Sequence, residues 1–165
     1  MNDEAADVAA PDEAGAAPAD TGPRALRKTV GSTAEEVRQT LINVSEELGR
    51  LGVNQPDQDA IEVVLAECMN NVVEHAYCQR PGRKFELKLL LTADSLFCRL
   101  EDHGQAMPGL MMPAGGLLDL SPELDDLPEG GFGWFLIRQL TSDLRYARAN
   151  GLNTLSFQIP LGQSE

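Results

Sequence analysis

The chain has 165 residues, of which 42% are hydrophobic and 24% charged, a composition typical of one soluble globular domain. Its 26 acidic and 13 basic residues give a formal net charge of −13, which disfavours binding to nucleic acids and to anionic membranes. No apolar run is long enough to cross a bilayer and no secretory signal is visible, so we expect a cytoplasmic protein.

The first 23 residues are predicted to be a disordered tail. They contain six acidic residues, no basic residue and few large apolar side chains, so they cannot bury enough apolar surface to fold. Residues 24–165 are then the folded domain, which is only moderately acidic.

The three cysteines, Cys68, Cys78 and Cys98, form no CxxC pair or other metal-binding spacing. We expect each to be a reduced side chain buried in the core.

The folded domain is predicted to begin with an edge strand and an amphipathic helix. Residues 25–30 alternate weakly between apolar and polar side chains, as edge strands often do. A capping box, either Ser32 with Glu35 or Thr33 with Glu36, starts the helix. Its apolar positions recur at helical spacing: Val37, Leu41, Val44, Leu48 and Leu51.

A second helix is predicted from about Pro56, because proline suits the first helical turn. It extends to about Ala76. One apolar stripe runs along it: Ile61, Val64, Leu65, Cys68 and Val72.

Two β-hairpins are predicted in the second half of the chain. Residues 85–91 and 96–102 form two alternating runs, and residues 144–149 and 152–159 form a second hairpin across the turn dipeptide Asn150-Gly151. The inward set of the first hairpin is Phe85, Leu87, Leu89, Leu91, Leu96, Cys98 and Leu100.

Between the hairpins, the chain from His103 to Glu129 shows no sustained period. It is longer than an ordinary loop, so a functional lid at about residues 105–130 is predicted. An apolar helical run from Trp134 to Leu140 follows it.

Three features are candidates for a functional site. Along the second helix, Glu67, Asn71 and His75 are successive i, i+4 neighbours beside the apolar stripe. A carboxylate and an amide oxygen one turn apart suit a general base beside a Mg²⁺ ligand. The simpler interpretation is a solvated helix face with His75 as a core histidine.

The second feature is Asp102, which shares the inward parity of its strand. No basic residue adjoins it in sequence, so a ligand that donates hydrogen bonds would satisfy it. Adenine has a donor amine, whereas guanine has a carbonyl there. The adjoining Gly104 would let the base approach the backbone, although Asp102 could also be a simple turn residue.

The third feature is the cluster Gly130-Gly131-Phe132-Gly133 before a helix. Glycines at a helix N-terminus expose backbone N–H groups that bind phosphate. A flexible hinge is an equally good interpretation of the cluster alone.

In this order, the three features resemble the motifs of the GHKL (Bergerat-fold) ATPases, specifically the RsbW-like anti-sigma-factor serine kinases. The resemblance covers about residues 26–161. The segment ECMNNVVEHAY at 67–77 is similar to the N box, Asp102-His-Gly104 to the adenine-binding box, and residues 130–133 to the second glycine box. The ending SDLRY at 142–146, followed by NG, resembles the closing hairpin of the anti-sigma branch.

The resemblance implies an α+β fold, a two-layer sandwich in which helices cover one face of a mostly antiparallel sheet. ATP and Mg²⁺ would lie between the second helix and the lid. Glu67 would be the general base, Asn71 would bind Mg²⁺, and Asp102 would bind adenine. The nucleotide would also contact His75, Gly104, Gly130, Gly131, Phe132 and Gly133.

The function implied by the resemblance is a serine kinase of a partner-switching system. Its substrate would be a STAS-domain anti-anti-sigma protein, it would also bind a sigma factor, and it could form a homodimer. The alternative is a non-catalytic regulator whose affinity for a partner depends on nucleotide. A sensor histidine autokinase is disfavoured, because no second long helix carries a phosphoacceptor histidine.

The predicted lid departs from what a triphosphate site favours, because its acidic side chains would repel the phosphates unless they point outward or bind a partner. These residues are Asp119, Glu123, Asp125, Asp126 and Glu129. Phe132 and Trp134 also stand where leucines are commoner in the family.

Overall fold

The computed structural model describes residues 22–114 and 131–162, and helices and strands form two layers within them. In chain order these are β1 (Arg24–Gly31), α1 (Ala34–Arg50), α2 (Gln55–Asn71), β2 (Lys84–Leu91), β3 (Ser95–Asp102), α3 (Gly131–Leu140), β4 (Ser142–Ala149) and β5 (Leu152–Pro160). A π-helical turn, Val72–Ala76, extends α2, and a 3₁₀ turn, Pro108–Leu110, follows β3. No helix within the described ranges has the length and apolar character needed to span a bilayer.

The strands form one antiparallel sheet in the order β1-β2-β3-β5-β4. All seven inward positions predicted for the first hairpin are buried, because successive side chains on a strand point to opposite faces. The core lies between this face and the helices. The α+β two-layer fold is therefore confirmed.

The N-terminus of α1 uses the second of the two possible capping boxes. Thr33 is the N-cap, and its Oγ1 accepts a hydrogen bond from the Glu36 N–H at 3.2 Å and donates one to Glu36 Oε2 at 2.8 Å. These bonds satisfy a backbone donor that the helix itself leaves free.

The second helix departs from the predicted regular α-helix in its last turn. It is α-helical only to Asn71, and the Tyr77 N–H then donates to the Val72 carbonyl at 2.9 Å, an i to i+5 bond. Such π turns are rare in proteins, and those that occur are frequently found at functional sites. Tyr77 is buried just after this turn, and its hydroxyl donates to the Lys84 carbonyl at 2.6 Å.

The second hairpin turns at Asn150 and Gly151, as predicted. Both residues have positive φ, 51° and 77°, as a two-residue type I′ turn requires. β5 therefore returns beside β4, with Leu152 opposite Ala149, and its other edge pairs with β3.

The prediction that all three cysteines are buried is wrong for Cys78. Cys68 and Cys98 are buried, and burial raises the pKa of both thiols. Cys78 is exposed because it lies beyond the π turn, where the backbone adopts a positive φ of 51°.

Gly104 allows the chain after β3 to pack closely on the end of the π turn. A Cβ at this position would lie 2.7 Å from the Ala76 Cβ and would also overlap the Ala76 carbonyl. The adjoining Gln105 N–H donates to that carbonyl at 2.8 Å. From the sequence we expected Gly104 to admit a nucleotide base, whereas in the structure it is Ala76 that lies close to this glycine.

We predict that Gly104→Ala destabilises the protein by about 1–3 kcal/mol, because the added methyl group meets backbone atoms that cannot move aside. Thermal unfolding with and without nucleotide measures this loss. Gly49→Ala is the matched control, since its Cβ would meet nothing closer than 3.5 Å. Equal stability of Gly104→Ala and the unmodified chain would contradict the assigned packing.

Candidate functional site

Glu67 and Asn71 lie one turn apart near the end of α2, and both are half-buried at the border of the core. The Asn71 Nδ2 atom is buried and has no hydrogen-bond partner among the described residues. Buried polar groups are nearly always satisfied, so this amide indicates a ligand that carries acceptor oxygens.

His75 is not buried, and it does not continue the row formed by Glu67 and Asn71. It lies in the π turn with a side chain that is 66% exposed, and its Nε2 is 4.0 Å from Glu74 Oε2. Because the π turn is wider than an α turn, the i, i+4 row predicted from the sequence ends at Asn71. The interpretation of His75 as a core histidine is wrong.

The donor set fits a magnesium ion that is bound together with a phosphate ligand. The described residues contain no group of three His, Cys, Asp or Glu side chains able to hold a metal. Mg²⁺ in nucleotide sites needs only one or two protein oxygens, because phosphates and waters supply the rest. The Oδ1 of Asn71 can be such a ligand, while its buried Nδ2 can donate to a phosphate oxygen.

Asp102 is the last residue of β3 and is only 6% exposed. Its Oδ1 accepts hydrogen bonds from the Gly104 N–H and from the Asn153 side-chain amide, both at 2.8 Å. No group in the described part of the chain donates to Oδ2. Burial raises the pKa of Asp102, and the bonds from Asn153 and Gly104 together with the positive charge of Arg148 oppose this rise only in part. One carboxylate oxygen is therefore available to a ligand donor.

Asn153 is a partner of Asp102 that was not predicted from the sequence. The antiparallel register places it directly opposite Asp102 on β5, and it is 3% exposed. It shares the inward parity of Leu155 and Phe157. A polar residue at an inward strand position was the signal that could have found it.

A second layer of hydrogen bonds holds Asn153 in place. Its Oδ1 accepts bonds from the Tyr146 hydroxyl at 2.7 Å and from Arg148 Nη1 at 2.6 Å. Arg148 also donates to the Gly104 carbonyl at 3.0 Å, and the Tyr146 hydroxyl accepts from the Met107 N–H at 3.0 Å. Side chains of β4 thus hold in place both groups that donate hydrogen bonds to the Asp102 carboxylate.

Gly133 brings the third feature into contact with the first. A Cβ on Gly133 would overlap the Glu67 Oε2 atom and lie 3.1 Å from its Cδ, so the Glu67 carboxylate rests against the first turn of α3. The helix begins at Gly131 rather than at Trp134. Gly131 and Gly133 are therefore part of its N-terminal turn, where backbone N–H groups have no partner within the helix.

Phe132 is 55% exposed and stacks on Phe135 with ring centroids 6.2 Å apart. Gly130 and the predicted lid from residue 115 onward lie outside the described residues, as does the predicted tail up to residue 21. The structure therefore brings together Glu67 with Gly133 and Asp102 with Gly104.

The chain matches the family model of the histidine kinase-like ATPase domain over residues 30–159. It is 31% identical to the serine-protein kinase RsbW of Halalkalibacterium halodurans, over 79% of this chain and 80% of the relative. It is 24% identical to RsbW of Bacillus mycoides, over 79% of this chain and 81% of the relative.

A solved structure of the RsbU and RsbW domains of a Mycobacterium tuberculosis protein shares the fold, with a TM-score of 0.58 at 18% identity. The similarity covers 84% of this chain and 32% of that longer one. With the family match over most of the sequence, these similarities show that the chain belongs to the histidine kinase-like (GHKL) ATPase family, in the branch of the RsbW serine-protein kinases.

Proposed function

We propose that this protein is an ATP-dependent protein-serine kinase of a partner-switching system. The observation that carries this proposal is the buried carboxylate of Asp102, which has two protein donors on Oδ1 and none on Oδ2 among the described residues. The family membership and the names of the relatives support the kinase activity.

Asp102 would select adenine through its open oxygen. The exocyclic amine of adenine can donate to Oδ2, whereas the guanine carbonyl would face a negative charge. Because Asn153 and Gly104 already hold Oδ1, the carboxylate cannot turn away from the base without losing two bonds.

The first turn of α3 would bind the phosphates. Gly131 and Gly133 have no side chains to cover the backbone N–H groups of this turn, and a helix N-terminus attracts anions. Gly130 and Phe132 complete the proposed segment. His75 is exposed at the end of α2, and we assign it to the rim of the nucleotide site.

Glu67 would be the general base, because its carboxylate already lies against the proposed phosphate-binding turn at Gly133. It would accept the proton of the substrate serine while the serine oxygen bonds to the γ-phosphorus. The bond between that phosphorus and the β,γ-bridging oxygen would break, and ADP would leave. Mg²⁺ would be held by Asn71 and would neutralise phosphate charge.

The partners belong to the same proposal. The substrate would be the serine of a small STAS-domain protein, and a sigma factor would compete with it for the kinase. A homodimer and a cytoplasmic location fit this role. A non-catalytic regulator is the alternative, and the acids at 119–129, which would repel a triphosphate, favour it.

We predict that Glu67→Gln slows transfer of radiolabel from ATP to a STAS protein by about 10²–10⁴-fold, which is the usual contribution of a general base. ATP affinity should be unchanged. Glu62→Gln, on the exposed face of the same helix, is the matched control.

Gly133→Ala should also slow transfer without unfolding the protein, because the methyl group displaces only the flexible end of Glu67.

Transfer by Glu67→Gln at the unmodified rate would contradict the assigned base. Partner binding without any transfer by the unmodified chain would instead establish the non-catalytic alternative.

We predict that Asp102→Asn weakens ATP binding by about tenfold to a hundredfold, the value of one hydrogen bond to a charged group. The amide oxygen can still accept from Asn153 and Gly104, so the site keeps its shape. The new NH₂ group faces the base, so the preference for ATP over GTP should fall. Titration calorimetry with both nucleotides measures this, with Asp59→Asn as a charge-matched surface control; unchanged selectivity would contradict the assignment.

The same variant has a predicted pH signature. The pKa of Asp102 is raised in the folded state, so its contribution to stability falls as pH rises from the unfolded pKa through the folded pKa. At neutral pH, Asp102→Asn should therefore be at least as stable as the unmodified chain in thermal unfolding. A lower melting temperature at neutral pH would show that the charge itself stabilises the fold.

A further inference from the structure

The outer face of the sheet, opposite the helices, contains a groove that crosses all five strands. Its volume is about 680 Å³, and residues of β1, β2, β3, β4 and β5 line it. Two large apolar side chains, Leu90 and Phe97, are exposed there, by 39% and 43% respectively. We call this surface the outer groove.

Four basic side chains line the outer groove: Arg27, Lys88, Arg99 and Arg145. Arg27 pairs with Glu86 at 2.6 Å, and Lys88 and Arg99 share Glu101 at 2.6 and 2.7 Å. Arg145 has no acidic partner within salt-bridge distance among the described residues. Asp143 is the acidic residue among the lining side chains. With Glu86 and Glu101 counted, the surface has four basic and three acidic side chains, and Arg145 is its basic residue without a salt bridge among the described residues.

Charge is segregated along the chain. All 13 basic residues lie within 22–114 and 131–162, together with 14 of the 26 acidic residues. The described part is therefore nearly neutral, and the remaining 12 acidic residues lie outside it. Six of these 12 fall within residues 3–20, a stretch without any basic residue.

We propose that the acidic N-terminal segment, residues 1–21, docks on the outer groove of its own domain. The segment joins the fold at β1, and Ala25, Leu26 and Arg27 of that strand are part of the groove lining. This inference is independent of the proposed kinase activity.

The length of the segment suffices. Five strands at about 4.8 Å spacing make the groove roughly 19 Å wide, and 21 extended residues reach up to about 70 Å. A short tether also gives an effective concentration in the millimolar range, so weak ion pairs are enough for docking. The segment also contains two large apolar residues, Met1 and Val8, which would suit the exposed Leu90 and Phe97.

The N-terminal segment is a better occupant than the other acidic stretch, at residues 119–129. That stretch is joined on its C-terminal side to α3, which packs against α2 in the helical layer. The N-terminal segment, by contrast, is attached to the sheet itself.

Paramagnetic relaxation enhancement on the full chain tests the proposal. A nitroxide is placed on Val8→Cys in a Cys78→Ser background, because the other two cysteines are buried. Backbone amide signals of Arg145 and Ser156, at the far side of the groove from β1, are compared with those of Arg38 and Gln39 on α1. At low salt we expect the groove signals to lose most of their intensity and the α1 signals to keep theirs.

Arg145→Glu should restore the groove signals, and Arg38→Glu, on the exposed face of α1, should not. Salt of about 0.5 M should also restore them, because the screening length is already about 10 Å at 0.1 M. Equal broadening on both faces, or none, would overturn the proposal. Broadening of isotope-labelled chains by separate nitroxide-carrying chains would show that a second copy occupies the groove, and would overturn it as well.

Discussion

The site depends on one constraint, which is the burial of a carboxylate at the end of β3 with only half of its hydrogen-bonding capacity used. Asn153 and Gly104 hold Oδ1 of Asp102, and no described group reaches Oδ2. Burying such a group is costly, and its raised pKa expresses that cost. Tyr146 and Arg148 are arranged to keep the donors in place. The fold thus maintains an unfavourable group in a fixed orientation, as binding sites do and stable cores do not.

The second helix connects this carboxylate to the rest of the site. Its α-helical part carries Glu67, which rests against Gly133, and its π turn ends at Ala76, against which Gly104 packs. The two glycine segments are far apart in the sequence and meet the same helix. The absence of a Cβ has a visible reason at both glycines. A side chain at Gly133 would displace Glu67, and one at Gly104 would collide with the Ala76 backbone.

Much of the fold was predictable from the sequence because it follows from local rules. Strand parity alone placed Asp102 inside, and the dipeptide Asn150-Gly151 fixed the second hairpin. The missed features depend on contacts between distant segments. The pairing of Asp102 with Asn153 requires the register of two strands that lie 51 residues apart, and the π turn that leaves His75 exposed has no signal in helical periodicity. The roles of the site residues remain predictions, because the sequence indicates the nucleotide through the resemblance of its motifs to those of a known family.

The central claim is that Asp102 is a charged acceptor whose open oxygen is completed by the adenine amine. It is tested most directly by following the ¹³C resonance of the Asp102 carboxyl group through a pH titration, with and without ATP. We predict a pKa of Asp102 above the ordinary aspartate value in the free protein, because of burial, and a lower pKa with ATP bound, because a donor on Oδ2 favours the charged form. A pKa that does not change when ATP binds, or that already lies below the ordinary value without it, would contradict the account.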